Sequence, residues 1–207
     1  KNRRVSFSDL FNGHNFSITH YFDFSSTVRG VKSFNDGVAL IYESRRVWAL
    51  IGTDPDTWEL KLVSESYGCN YFKTVSNYSS TSFSMQIFVA SDGHVRAITS
   101  DTFKQINREA KIMSLTDQYI YDEFAASFNF LCANVDEDGK YTVYRSDNSI
   151  YTLNVSASER TGFKEFIWST GTTPRTFNTA VKISGVVILG DNANGQLYTW
   201  NSGYTDN

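Results

Sequence analysis

The run NVDEDG, residues 134–139, has the residue types and the spacing of a calcium loop. Asn134, Asp136 and Asp138 alternate with other residues ahead of a glycine, and calcium loops present oxygen ligands in this way while the chain turns. The pattern then fails, because Thr142 stands at the ninth position and Arg145 at the twelfth, where calcium-binding hairpins and EF-hand loops respectively need an acid. We therefore expect an acidic hairpin turn that holds no metal.

Other patterns that could perform chemistry are sparse. His14, His20 and His94 follow no metal-ligand motif, and His94 is expected at an exposed hairpin tip. Glu43 and Asp36 are candidates for the paired carboxylates that cleave glycosides, but we expect both to be surface carboxylates. The chain has no glycine-rich phosphate loop, Gly-x-Ser-x-Gly elbow or Cys/His nucleophile arrangement. The sequence predicts no enzyme, no catalytic residue and no cofactor.

The sequence also contains two cysteines and three Asn-x-Ser/Thr triplets of the kind that accept N-linked glycans. Cys69 and Cys132 are too few and too far apart for a disulfide framework or a zinc site, so we expect free thiols in a reducing compartment. Asn15, Asn77 and Asn154 begin Asn-x-Ser/Thr triplets, which we interpret as chance matches in a chain rich in these residues.

Composition favours an all-β protein without affinity for nucleic acid. The chain has 16 Phe and 12 Tyr with abundant Ser, Thr and Asn, a mixture that suits pleated, half-buried surfaces. Its net charge of −3 gives no basic field of the kind that neutralises phosphates. No window reaches about eighteen consecutive apolar residues, so we expect no membrane span. The chain begins at Lys1, which suggests a processed or excised chain.

Four similar hairpins recur along the chain. In each, an apolar strand ends in a polar turn and a second strand returns with an aromatic or branched residue near its middle. Three of the four turns are Asp-Gly or Asn-Gly, the strongest short-range hairpin signal. The predicted hairpins lie near residues 38–52, 86–100, 128–145 and 186–200.

The spacing of these hairpins predicts a β-propeller. Further strand candidates begin at Thr57, Ser149 and Phe163, so each repeat has room for about four strands. Four short strands per forty to fifty residues is typical of a propeller blade. A β-sandwich is the alternative, although nothing requires its hairpins to resemble one another. We expect one propeller domain over residues 1–207, or a propeller segment of a longer chain.

One stretch interrupts the pattern, near residues 101–127. Phe103, Ile106, Ala110 and Met113 fall at helical spacing, and Asp101 is placed to cap the start. We expect a short helical insertion or a long loop between blades, with its apolar residues packed on a blade edge.

The order of the repeats resembles the propeller-containing nozzle or tail-tube proteins of short-tailed bacteriophages. The resemblance covers residues 38–170, through VALIYESRRVWALIGTDPDTWELKLVSESYGCN, QIFVASDGHVRAI, INREAKI and YTVYRSDNSIYTLNVSASERTGFKEFIWST. Trp168 stands where the family has a closing tryptophan, whereas Asn148 replaces a turn glycine. The chain also lacks the large extra domains that such nozzles normally contain.

This resemblance implies a structural role in the tail of a virion. Such proteins form a ring of copies, a homohexamer, that extends the DNA channel, retains the genome and lets it pass on ejection. The implied partners are copies of the chain itself, neighbouring tail or adaptor proteins and fibres, and genomic DNA would pass through without specific binding.

Two other functions remain open. A carbohydrate-binding or glycoside-cleaving propeller would use exposed aromatic rings, and Trp48, Trp58, Trp168 and Trp200 are the candidates, although their strand positions favour core packing. A propeller that binds proteins inside a cell is the third reading.

Overall fold

A computed structural model describes residues 3–7, 21–35, 37–82, 84–99 and 112–200 as a succession of small antiparallel sheets. A two-stranded ribbon comes first, and its strands are β1 (Arg4–Ser6) and β2 (Tyr21–Asp23). Four larger sheets follow in chain order, and we call them blades 1 to 4.

Each blade is built from strands that are consecutive in sequence. Blade 1 contains β3 (Val28–Asn35), β4 (Val38–Glu43), β5 (Val47–Ile51) and β6 (Glu59–Ser64). Blade 2 contains β7 (Ser76–Ser79), β8 (Ser84–Val89), β9 (Val95–Thr99) and β10 (Met113–Ser114). Blade 3 contains β11 (Phe130–Val135), β12 (Lys140–Arg145), β13 (Ser149–Asn154) and β14 (Trp168–Thr172). Blade 4 has three described strands, β15 (Phe177–Ile183), β16 (Val186–Asp191) and β17 (Leu197–Trp200).

The cores lie between successive blades. Blades 1 and 2 enclose one apolar cluster, blades 2 and 3 a second, and blades 3 and 4 a third. The ribbon covers the opposite face of blade 1, where Phe24 of the chain after β2 packs with Ile41 and Leu50. Because every blade buries a face against the next, the arrangement is that of a β-propeller, as the sequence predicts.

The turns that join the paired strands follow from local sequence. In the third hairpin, Gly139 has φ +75°, and a Cβ there would lie 2.8 Å from the ring of Tyr78. A positive φ and a close neighbour both favour glycine over any other residue. The Asp-Gly pairs therefore end the first strands of these hairpins at the positions that the sequence predicts.

The interruption near residues 101–127 contains a short helix, as the sequence predicts. Helix α1 spans Gln118–Ala126, and Asp117 caps it by accepting a hydrogen bond from the N–H of Ile120 at 2.8 Å. Met113, predicted on the helix, instead pairs with Ala97 as part of β10 and packs on the core between blades 2 and 3. Pairing with the free edge of β9 satisfies backbone groups that helical spacing alone does not reveal. The other predicted positions, Asp101, Phe103, Ile106 and Ala110, lie outside the described residues.

A second described helix replaces the end of the strand predicted from Ser149. Helix α2 spans Val155–Arg160, and the side chain of Asn154 caps it by accepting from the N–H of Ala157 at 3.0 Å. The strand expected from Phe163 begins only at Trp168. Within the described ranges, no helix is long and apolar enough to cross a membrane.

Candidate functional site

The first strands of the four blades line a common groove, which we call the axial groove. Its volume is about 540 Å³, the size of a small-molecule site. Much of the wall is apolar. Its apolar residues come from β11, from β15 and from the segment 72–75 ahead of β7, which includes the 3₁₀ turn Phe72–Thr74. The apolar lining residues are Phe72, Val75, Ala133, Val135, Ala180 and Val181.

Three lysines lie along the axial groove. The ammonium of Lys32, on β3, donates to the carbonyl oxygen of Val75, and that of Lys73 donates to the carbonyl oxygen of Asn178 at 3.0 Å. Lys182, on β15, is exposed at the groove wall. Among the described residues that line the groove there is no aspartate or glutamate. The groove therefore has a positive charge without an acidic counterpart in its wall.

Lys32 shows this imbalance most clearly. Its side chain is half-buried, and burial lowers the pKa of its ammonium. No described carboxylate forms an ion pair with Lys32, so nothing in the groove wall opposes this shift.

A buried amide in the groove has no partner in the described protein. Asn134 is 4% exposed, and neither Oδ1 nor Nδ2 forms a hydrogen bond. Asn134 follows Cys132 by two residues on β11, so its side chain lies on the face of blade 3 that packs against blade 4. The buried hydroxyl of Tyr144 is unpartnered as well. Unpartnered buried polar groups are rare, because each typically costs about 1–3 kcal/mol of stability.

Side chains from neighbouring blades cap the inner carbonyl oxygens that border the groove. The carbonyl oxygen of Ser33 accepts from Asn77 Nδ2 at 2.9 Å and from Gln86 Nε2 at 3.2 Å. The carbonyl oxygen of Ala133 accepts from Ser76 Oγ at 3.2 Å. These bonds join blade 1 to blade 2 and blade 2 to blade 3, and they hold the groove wall in one arrangement.

The two aspartates of the predicted acidic turn, Asp136 and Asp138, have different surroundings in the structure. Asp136 is 5% exposed and accepts from the N–H of Lys140 at 2.9 Å, whereas the exposed Asp138 forms an ion pair with the Lys140 ammonium at 3.3 Å. Burial raises the pKa of Asp136, and the nearby charge of Asp138 raises it further. In the described part of the chain, no group of three or more His, Cys, Asp or Glu side chains is placed to hold a metal ion.

Glu43 is not the surface carboxylate that we expected. Its side chain is fully buried and accepts from the N–H and Oγ of Ser26, at 2.8 and 2.7 Å, and from Trp48 Nε1 at 2.9 Å. Burial alone would raise its pKa, but these hydrogen bonds and the charge of Arg46 outweigh burial and lower it. The carboxylate is occupied by structural donors, and it is not a lining residue of the axial groove. Asp36 lies outside the described residues.

The histidine at the second hairpin also differs from expectation. His94 is partly buried, because its ring stacks on Tyr121 of α1 with centroids 4.2 Å apart, and burial lowers the pKa of its imidazole. A helix packed over the turn could not be foreseen from the hairpin sequence. His14 and His20 lie outside the described residues.

The remaining candidates pack in cores. Cys69 and Cys132 are free and buried, and burial raises the pKa of each thiol to about 12. As their strand positions predict, the four tryptophans pack on apolar clusters: Trp48, Trp58, Trp168 and Trp200.

Blade 4 presents an apolar face to solvent, and we call it the end face. Its opposite face packs on blade 3, whereas Val181, Ile183, Val186 and Leu197 are 45, 54, 47 and 73% exposed. Strand register places these residues on one side of the sheet, because Ile183 pairs with Val186 and side chains alternate along each strand. Contiguous exposed apolar patches often mark interaction sites.

Comparisons with solved structures show the fold. The crystal structure of BamB from Moraxella catarrhalis matches 100% of this chain with a TM-score of 0.60 and 12% sequence identity. The crystal structure of BBS1N in complex with ARL6DN matches 99% with a TM-score of 0.51 and 8% identity. Both are β-propellers, so the chain has a β-propeller fold. It spans 54% of the BamB chain and 66% of the BBS1N chain. No protein-family model and no curated protein matches it.

Proposed function

We propose that this chain is a structural component of a bacteriophage tail, a propeller of a nozzle or tail tube. Copies of it form a ring, expected to be a hexamer, that extends the DNA channel, retains the genome and lets it pass on ejection. Neighbouring tail or adaptor proteins, and fibres, contact the ring, and the protein belongs to the virion.

The end face is the observation that supports this role. Four large aliphatic side chains remain about half exposed or more on one sheet surface, although the faces that blades 1, 2 and 3 turn towards the next blade are packed. Covering such a patch with another protein surface removes apolar area from water, which stabilises an assembly by roughly 25 cal/mol per Å². A module that assembles with copies of itself has a use for this surface.

The resemblance to tail proteins gives independent support. Three of its four segments fall in order on blades 1, 2 and 3, whereas INREAKI, residues 106–112, lies almost entirely outside the described residues. The segment that resembles the family's last repeat includes β12, β13, α2 and the start of β14.

The DNA channel in this proposal lies between copies of the chain. The axial groove, at about 540 Å³, has the volume of a small-molecule site and cannot enclose a duplex. The net charge of −3 suits a surface along which a polyanion must slide without stable binding.

The sugar-binding alternative has no specific observation in its favour. Stacking on a sugar needs an exposed aromatic face, whereas Trp48 and Trp168 donate their indole N–H to partners within the protein and pack on cores.

The native mass of the purified protein tests the proposal. We expect a ring of about six copies by light scattering. Ile183→Glu, which places a charge on the end face, should dissociate it. Ile167→Glu is the matched control, because Ile167 is 52% exposed against 54% for Ile183 but lies outside the end face. A monomer at all concentrations, or equal dissociation by both variants, would contradict the proposal.

A further inference from the structure

The axial groove combines positive charge with a shortage of acceptors. Lys32 and Lys73 each donate to one backbone carbonyl oxygen, and an ammonium has three donors. Each lysine is thus positioned by the protein while donors remain for another group. Lys182, an exposed lining residue on β15, adds a third ammonium. The complementary ligand is an anion with more than one acidic group along its length.

Asn134 narrows the chemistry of that ligand. Its buried side chain has an unpartnered acceptor, Oδ1, and an unpartnered donor, Nδ2, on the same amide. A phosphodiester or an ionised carboxylate supplies acceptors only, and so it satisfies one of the two atoms. A peptide bond presents a donor and an acceptor, and it satisfies both.

The wall of the groove fits a short stretch of chain. Its volume of about 540 Å³ is lined by aliphatic side chains between the lysines, so a peptide can bury its backbone and small side chains there. The carbonyl oxygens of Ser33, Val75, Ala133 and Asn178 are already capped by side chains. A peptide is therefore recognised by the side chains of the groove, and it does not need to pair with an inner strand as an additional β-strand.

We propose that the axial groove binds an acidic peptide segment of a partner protein, with Lys32, Lys73 and Lys182 pairing with its carboxylates and Asn134 with one of its peptide bonds. This inference goes beyond the tail role and does not depend on it, because it rests only on the groove.

Fluorescence anisotropy of a fluorescein-labelled hexaglutamate with the full chain tests the site. We expect binding that weakens as salt increases, and no binding of a labelled hexaglutamine of equal length. Lys73→Ala and Lys182→Ala should each weaken binding about five- to tenfold, the scale of one charged contact. Lys164→Ala, an exposed lysine outside the groove, should leave it unchanged.

Asn134→Leu distinguishes recognition from a structural role. The two side chains have the same number of heavy atoms, so the variant should keep or raise the melting temperature while it weakens hexaglutamate binding several-fold. A lower melting temperature with unchanged binding would assign Asn134 to the fold alone and remove it from the site.

Three results overturn the proposal. The first is that hexaglutamate does not bind. The second is that Lys164→Ala weakens binding as much as the groove variants, which would mean unspecific attraction. The third is that inorganic pyrophosphate binds the groove lysines whereas hexaglutamate does not, which would make the site a phosphate site. Neither ring assembly nor its failure changes these outcomes, so the two proposals can fail separately.

Discussion

The buried carboxylate of Glu43 accepts a hydrogen bond from the indole N–H of Trp48, five residues further along the same hairpin, at 2.9 Å. Its other oxygen accepts from the backbone N–H and the hydroxyl of Ser26, which precedes β3. One side chain thus joins the β4–β5 hairpin to the segment that follows the ribbon. The carboxylate has the partners that a buried charge needs.

Replacing this carboxylate should destabilise the protein. Glu43→Gln keeps the shape of the side chain but replaces one accepting oxygen with an NH₂ group, which then faces the donors of Ser26 or the indole N–H of Trp48. We therefore expect a loss of about 2 kcal/mol in the free energy of unfolding. Urea unfolding measures it. Glu59→Gln is the control, because Glu59 has an exposed side chain on the same blade. Equal stability of the two variants would show that the hydrogen bonds of Glu43 contribute little.

Stability should decrease in acid through two carboxylates. Burial would raise the pKa of Asp147, but hydrogen bonds from Ser149 and Asn129 outweigh burial and lower it to about 2, and the pKa of Glu43 is lowered as well. A carboxyl group with a lowered folded-state pKa stabilises the fold above its unfolded pKa, near 4. That contribution is lost as pH falls towards 2.

The urea midpoint between pH 6 and pH 2 measures this loss. Asp147→Asn should show a shallower decrease below pH 4 than the unaltered chain, because it lacks the carboxylate that accepts from Ser149 and Asn129. Parallel curves for the two proteins would contradict the prediction.

Trp168 should contribute strongly to the packing between blades 2 and 3. Its ring packs on the core between blades 2 and 3, near Phe124, and its indole N–H donates to the carbonyl oxygen of Leu115 at 3.1 Å. Trp168→Ala should cost about 3 kcal/mol of unfolding free energy. Trp168→Phe, which keeps most of the packing and removes one hydrogen bond, should cost about 1 kcal/mol. A negligible effect of the alanine variant would refute this assignment.

Calcium should not change the thermal stability. The acidic turn holds Asp136 by a backbone N–H and Asp138 by Lys140, so its acidic groups already have partners. We expect the same melting temperature in millimolar calcium and in EDTA. An increase of several degrees with calcium, abolished by Asp136→Asn, would show that the turn binds the ion.

Local sequence was sufficient for the hairpins and insufficient for the contacts between them. Asp-Gly and Asn-Gly pairs define turns within a few residues, so their signal does not depend on the rest of the chain. Met113 shows the opposite case, because its strand exists only through pairing with Ala97 of another hairpin. Helix α2 had a local signal, the capping residue Asn154, that a strand pattern masked.

The axial groove could not be predicted from sequence for a related reason. Lys32, Lys73 and Lys182 form no basic run, and only the assembly of successive blades brings them to one surface. The usable signal was their position, on or just before the first strand of a blade. The spacing of Asn134 resembles that of a calcium ligand in a turn that we expect to hold no metal, whereas in the structure its side chain is an unpartnered amide in the groove.

The side-chain caps on the first strands also limit how the protein can aggregate. An uncapped inner strand exposes a row of carbonyl and N–H groups that can template a strand from another chain. Here Asn77, Gln86 and Ser76 occupy acceptors on two of these edges. At high concentration, copies of the protein are therefore less able to pair strand edge with strand edge. They can still associate through the apolar end face of blade 4. Concentrated solutions should accordingly form discrete oligomers rather than fibrils rich in cross-β structure.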